Sequence, residues 1–196
     1  MPGVLALLAL ASLRGIGVPG QLEAIERLSG FFGFWRQTGP GGPWWPQWVT
    51  RADLRSGRSG QLRPSRNSWC YGSVGVARAL QLAGLATADR ARQRQAEGDL
   101  AASLTDACLR RIGEPWLCHG TAGIYQTAWR AAQQAATPEL DSRLAAVAVQ
   151  LSSRGSARCG EASGLLTGRT GVELALLTAQ SDGRPRSEWD ACLLII

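Results

Sequence analysis

The sequence predicts an all-α protein, an incomplete α/α toroid or solenoid of inner and outer helices. Three observations carry that reading. The chain repeats itself: "CYGSVGVARALQLA" from Cys70, "CHGTAGIYQTAWRA" from Cys118 and "LTGRTGVELALLTA" from Leu166 share one pattern, with Gly75, Gly123 and Gly171 spaced 48 residues apart. Stretches rich in Ala and Leu alternate with segments that are apolar on one side only. Strand signals are scarce.

Each element follows from this pattern in chain order. Gly3 opens "GVLALLALASL", an incomplete fourth copy that reads as an inner helix. Its apolar run has no positively charged flank and no small-x-small cleavage site, and it is too short to span a bilayer, so a buried helix is the better reading than a signal peptide or a membrane span. Leu22, Ile25, Leu28 and Phe32 mark its outer partner. Residues 37–66, rich in Gly, Pro and Trp, lengthen the first unit to 72 residues and read as a long loop. There Trp44, Trp45 and Trp48 either cover an apolar edge or form a wall for a bound peptide.

The second, third and fourth inner helices each follow a glycine turn, at Gly72, Gly120 and Gly168, three residues before the glycines of the repeat. Between them, Leu100, Leu104, Ala107 and Cys108 mark one outer helix, and Leu140, Leu144, Val147 and Leu151 mark another, with Thr137 and Pro138 as its N-cap and first residue. The glycine turns should gather on one rim, where helix N-termini offer free N–H groups and absent side chains let a ligand approach the backbone.

Length and composition bound the rest. The 196 residues suit one domain, 1–196, with a sizeable core. All 21 basic residues are Arg, and they are scattered among 15 acidic ones, which argues against a nucleic-acid surface. Five cysteines, Cys70, Cys108, Cys118, Cys159 and Cys192, are odd in number and sparse, which points to reduced thiols and a cytoplasmic setting.

The repeat register gives two of those cysteines a meaning. Five residues before the second glycine of successive turns stand Cys70 and Cys118, and beside the latter stands His119, the only histidine. Two thiols and an imidazole thus converge from adjacent turns. Cys₂His is a catalytic zinc set, leaving the fourth tetrahedral position open. Buried structural residues are the alternative for an isolated Cys-His pair.

With these residues in view, "SWCYGSVGVARAL", "WLCHGTAG" and the repeated G-x-x-G turns resemble the zinc-binding signatures and inner helices of lanthionine synthetase C-like cyclases, over essentially the whole chain. The resemblance implies an α/α toroid in which Cys70, Cys118 and His119 hold Zn²⁺. It also implies that Arg66 and Tyr71 are auxiliary catalytic residues; without it, a solvated loop Arg and a core Tyr are the plain readings. The implied reaction adds a cysteine thiolate of a dehydrated precursor peptide to a dehydroalanine or dehydrobutyrine of the same peptide. A lanthipeptide dehydratase is the implied partner.

The chain also departs from the family, whose members are about twice as long by domain-size reckoning and carry an active-site Asp and His upstream. Those positions would fall before Met1. The expectation is therefore an N-terminally truncated, C-terminal half, either a zinc-dependent cyclase incomplete by itself or a non-catalytic zinc-thiol or peptide-binding protein. Another α/α toroid, such as a prenyltransferase subunit or a glycosidase, is disfavoured by the Cys-His pair and the lack of a convincing carboxylate pair.

Overall fold

A computed structural model describes residues 2–64, 66–158, 163–181 and 185–196, without the side chains of 156–158. The inner helices are α1 (Pro2–Leu13), α4 (Ser73–Ala86), α7 (Thr121–Ala132) and α9 (Arg169–Gln180). The outer ones are α2 (Gln21–Phe34), α5 (Arg90–Ser103) and α8 (Glu139–Arg158). Along the inner layer α1 packs on α4, α4 on α7 and α7 on α9, while α5 and α8 touch each other outside. This is the all-α toroidal arc that the repeat predicts.

Position in the arc decides how much of each inner helix is buried. Every residue of α7 is buried, and so is α4 from Val74 to Gly84, because both have inner neighbours on two sides and an outer helix behind. The end helices α1 and α9 each have one inner neighbour, so only one face is covered and Val4, Leu7 and Leu177 stay exposed. Small residues on α4 and α7, among them Ala77, Ala83, Ala122 and Ala128, let the backbones approach closely in the core.

Four expectations need correction. Residues 37–66 are not structureless: β1 (Gln37–Gly39) and β2 (Gly42–Trp44) form an antiparallel hairpin across Pro40 and Gly41. Gly42, at φ 93°, takes the left-handed conformation that favours glycine and lies against Ala102 of α5. Helix α3 (Arg51–Ser56) follows, closed by a capping box in which the Asp53 N–H donates to the Thr50 hydroxyl and the Thr50 N–H to the Asp53 carboxylate.

The outer helix expected through Leu100 to Cys108 breaks after Ser103 and restarts as α6 (Asp106–Arg110). In an unbroken helix Leu104 and Leu109 would point about 140° apart; with the break both face the core, 1% and 0% exposed. Leu22 of α2 is exposed, and it is Gln21, Ile25, Ser29 and Phe32 that turn inward. Helix α8 starts at Glu139, where the Ser142 N–H reaches the Pro138 carbonyl, so Pro138 takes the N-cap place and Thr137 lies outside the helix.

The chain closes on a 3₁₀ turn, Trp189–Leu193, that crosses the inner layer. Asp190, fully buried, accepts from Arg130 of α7 at 2.7 and 2.6 Å and from Gln126. Arg78 of α4 donates to the Ile195 carbonyl at 3.1 Å and to Gln81 and Gln134. Burial and the neighbouring Arg130 push the Arg78 pKa down to about 9, still above neutrality, and its three acceptors hold the cation in place. No described helix is long and apolar enough to cross a membrane.

Candidate functional site

The glycine turns explain themselves by contact distance. Gly72, Gly120 and Gly168 are the N-caps of α4, α7 and α9, each with extended backbone and no side-chain cap. The preceding loop folds tightly over each helix start. A Cβ at Gly75, Gly123 or Gly171 would sit 1.7, 1.8 or 2.0 Å from the carbonyl oxygen of Trp69, Leu117 or Leu165, six residues earlier. The same glycines seat the neighbouring turn: the Gly123 position lies 3.5 Å from Cβ of Trp69, and the Gly171 position 3.0 Å from Cβ of Leu117. Each turn therefore presses the residue before its repeat start against the glycine of the next.

This clamp sets the thiols. Trp69 is fixed from behind by its indole N–H bond to the Leu193 carbonyl, 3.1 Å, and the Cys118 N–H donates to the Leu166 carbonyl of the following turn, 2.8 Å. Cys70 and Cys118, 48 residues apart in sequence, stand with their sulfurs 3.6 Å apart. Ser68, buried, lies 3.7 Å from the Cys70 sulfur and accepts the Tyr71 N–H, so it holds the Cys70 turn. Sequence reasoning missed Ser68, because a lone serine carries no motif.

At Cys118 burial outweighs the one cation that acts on it. Burial, and then the Cys70 thiol beside it, push the Cys118 thiol up to about 11, while Arg66 pulls in the opposite direction. At neutral pH the Cys118 sulfur of the metal-free protein therefore keeps its proton, which a metal would have to displace.

The separation suits a metal. Two thiolates on one tetrahedral zinc, at about 2.3 Å each, lie about 3.8 Å apart. His119 is half-buried next to Cys118 in the chain. Among the described residues no group of three His, Cys, Asp or Glu side chains is arranged to hold a metal, so His119 is not gathered with the two sulfurs. The donor types and the thiol spacing fit zinc.

Arg66 and Tyr71 flank the pair on different sides. Tyr71, 60% exposed, lines a cleft of about 300 Å³ together with Cys70, and a second of about 320 Å³ walled by Trp48, Phe31 and Trp35. Arg66 is exposed and opens on a cleft beside the hairpin. Of the loop tryptophans, Trp44 and Trp45 are buried as packing residues, Trp45 donating to the Phe32 carbonyl at 2.7 Å, whereas Trp48 stays 61% exposed. Cys108 donates to the Gly41 carbonyl away from the pair, and Cys192 shares the cleft of Cys70. Cys159 lies outside the described residues.

Comparison with known proteins shows the family and the fold. The family model described as lanthionine synthetase C-like protein matches residues 1–194. Among solved structures, nisin cyclase superposes with a TM-score of 0.81 at 22% identity, over 99% of this chain and 48% of the nisin cyclase chain. The chain thus spans about half the length of that structure, and at this identity the likeness is one of fold. No curated protein matches the chain by sequence.

Proposed function

The chain belongs to the lanthionine synthetase C-like family, and from that premise we propose that it forms thioether rings in dehydrated peptides. The sulfur of a peptide cysteine adds to the β-carbon of a dehydroalanine or dehydrobutyrine. The electron pair of the C=C bond moves to the α-carbon as an enolate, and the proton lost by the thiol is returned there. Nothing leaves, so the product is an isomer of the substrate. In this reading Cys70, Cys118 and His119 hold zinc, whose contribution when bound is to keep a thiol ionised near neutral pH.

The chain's own residues supply the rest. Arg66, exposed beside the pair, offers a fixed positive charge to the enolate oxygen. Tyr71, on the Cys70 side and open to solvent, offers an O–H that donates to the substrate or passes it a proton. Trp48 and the aromatic cleft behind Tyr71 provide an apolar wall for the peptide. A dehydratase acting earlier on the same peptide supplies the dehydroamino acid, and the reduced thiols suit a cytoplasmic setting.

The observation that carries the proposal is the 3.6 Å pairing of Cys70 with Cys118. A second reading, a zinc-thiol or peptide-binding protein without turnover, draws on one fact: His119 is the chain's only histidine, and as a metal ligand it leaves no imidazole for proton transfer. One experiment separates the two. Ring closure leaves mass unchanged, so a dehydrated peptide is incubated with the protein and its remaining thiols are counted by maleimide labelling and mass spectrometry. We expect about one zinc per chain, retained in Cys108→Ala and Cys192→Ala, together with thiol loss faster than in buffer. Zinc and rate should both fall in Cys118→Ala and His119→Ala. Full zinc occupancy in those two variants rejects the ligand set, and zinc with no rate gain favours the binding reading.

A further inference from the structure

The cleft beside the hairpin, about 490 Å³, is lined by Arg63, Arg66 and Arg111 and by no Asp or Glu. Among the described residues none of the three arginines is in an ion pair. The Arg111 guanidinium lies 3.8 Å from the Cβ position of Gly41, over the hairpin turn, and the Cys108 thiol bonds the Gly41 carbonyl, which fixes that wall to α6. Trp44 and Ile112 give the cleft an apolar lining. At the other end Arg66, Asn67 and Ser73 belong to the same turn as Cys70, which relates the cleft to the thiol pair through one short segment.

Three uncompensated cations converging on one concavity constitute an anion-binding surface. The volume is of the size that takes an organic ligand or a peptide segment and exceeds what a lone inorganic anion needs. Nucleic acid is the poorer match, because Trp44 is buried and presents no stacking face. The spacing along the chain instead relates the cleft to the peptide whose cysteine the thiol site is read as handling.

We propose that this cleft binds an acidic stretch of the substrate peptide, its Asp or Glu carboxylates on Arg63 and Arg111 with Arg66 left to the ring-forming step, and so selects acidic peptides for the neighbouring thiol site. This rests on the ring-forming reading above and deepens it to a substrate class. It is a binding interaction and needs no turnover to be observed.

The test measures fluorescence anisotropy of a short labelled peptide with three glutamates and one cysteine, against its counterpart with three glutamines. Arg63 and Arg111 are exposed and outside the proposed chemistry, so the double variant R63A/R111A should keep its fold and its zinc. The glutamate peptide should bind the unaltered protein at least ~10-fold more tightly at low salt, with the gap shrinking as salt screens the charges. In R63A/R111A the gap should fall to within about 2-fold, and R63K/R111K should restore part of it, since a point cation replaces a fork. Equal affinity for both peptides, an unchanged gap in R63A/R111A, or displacement of the glutamate peptide by an equimolar oligodeoxynucleotide overturns the proposal. Ring formation is scored separately on dehydrated peptides with and without the three glutamates. If it occurs without glutamate preference, the cleft is refuted and the function stands; preference without ring formation upholds the cleft and refutes the function.

Discussion

Cys70 and Cys118 stand with their sulfurs 3.6 Å apart, and the protonation of Cys118 gives the protein a pH response that can be measured. Without metal, Cys118 keeps its proton up to about 11, against an ordinary value near 9, because ionising it would bury a charge beside another sulfur. In that window the native state holds a proton that the unfolded chain has released. The stability of the metal-free protein therefore falls as pH rises from about 9 to 11, relative to a Cys118→Ser variant. Across that range the urea midpoint of the unaltered protein should fall relative to that of the variant. Zinc uptake must displace thiol protons, so metal affinity should climb with pH over the same titration. The pairing of Cys70 with Cys118 was legible in the sequence, since the repeat register puts both at one place in adjacent turns. That His119 is not gathered with them was not legible, because register places the backbone and leaves the side-chain torsions free.

At the level of the helices, the glycine at the third position of α4, α7 and α9 is a spacer, and its replacement tests the clamp. Gly123→Ala would drive a Cβ to 1.8 Å from the Leu117 carbonyl, and backbone must move because no flexible side chain can yield. We expect a loss of about 3 kcal/mol or more in urea unfolding, with weakened zinc binding, since Leu117 immediately precedes Cys118. Gly98→Ala, on outer helix α5 where a Cβ meets nothing within 4 Å, is the control and should be neutral or stabilising. The inner helices were readable because apolar runs follow each glycine pair. The hairpin was hidden because its strands have only three residues each, too few to show a period. The break between α5 and α6 was hidden for the opposite reason: its apolar spacing also suits a continuous helix, and contacts with the hairpin and core decide against it.

Across the whole molecule, the closing 3₁₀ turn ties together helices that the repeat alone would leave as neighbours. Asp190 and Arg130 are 60 residues apart, and no local pattern announces their meeting. Asp190→Asn keeps the shape and leaves the Arg130 charge buried without its counterion, which should cost about 3–5 kcal/mol; chemical denaturation at pH 7 measures it. Trp69 is bonded to the same segment at Leu193, so the variant should also release zinc more readily to a chelator.

The clamp between successive turns has a further meaning when the molecule is viewed as a one-dimensional array. Each inner helix is held by its immediate neighbours, so the free energy of opening is a sum of nearest-neighbour couplings, lower at the ends of the array than in its interior. Helices α1 and α9 have one inner coupling each, while α4 and α7 have two and are also closed by the Arg78 and Asp190 bonds. The joint between α4 and α7, where the two thiols face each other, is thus held from both sides by inner neighbours and by the closing segment.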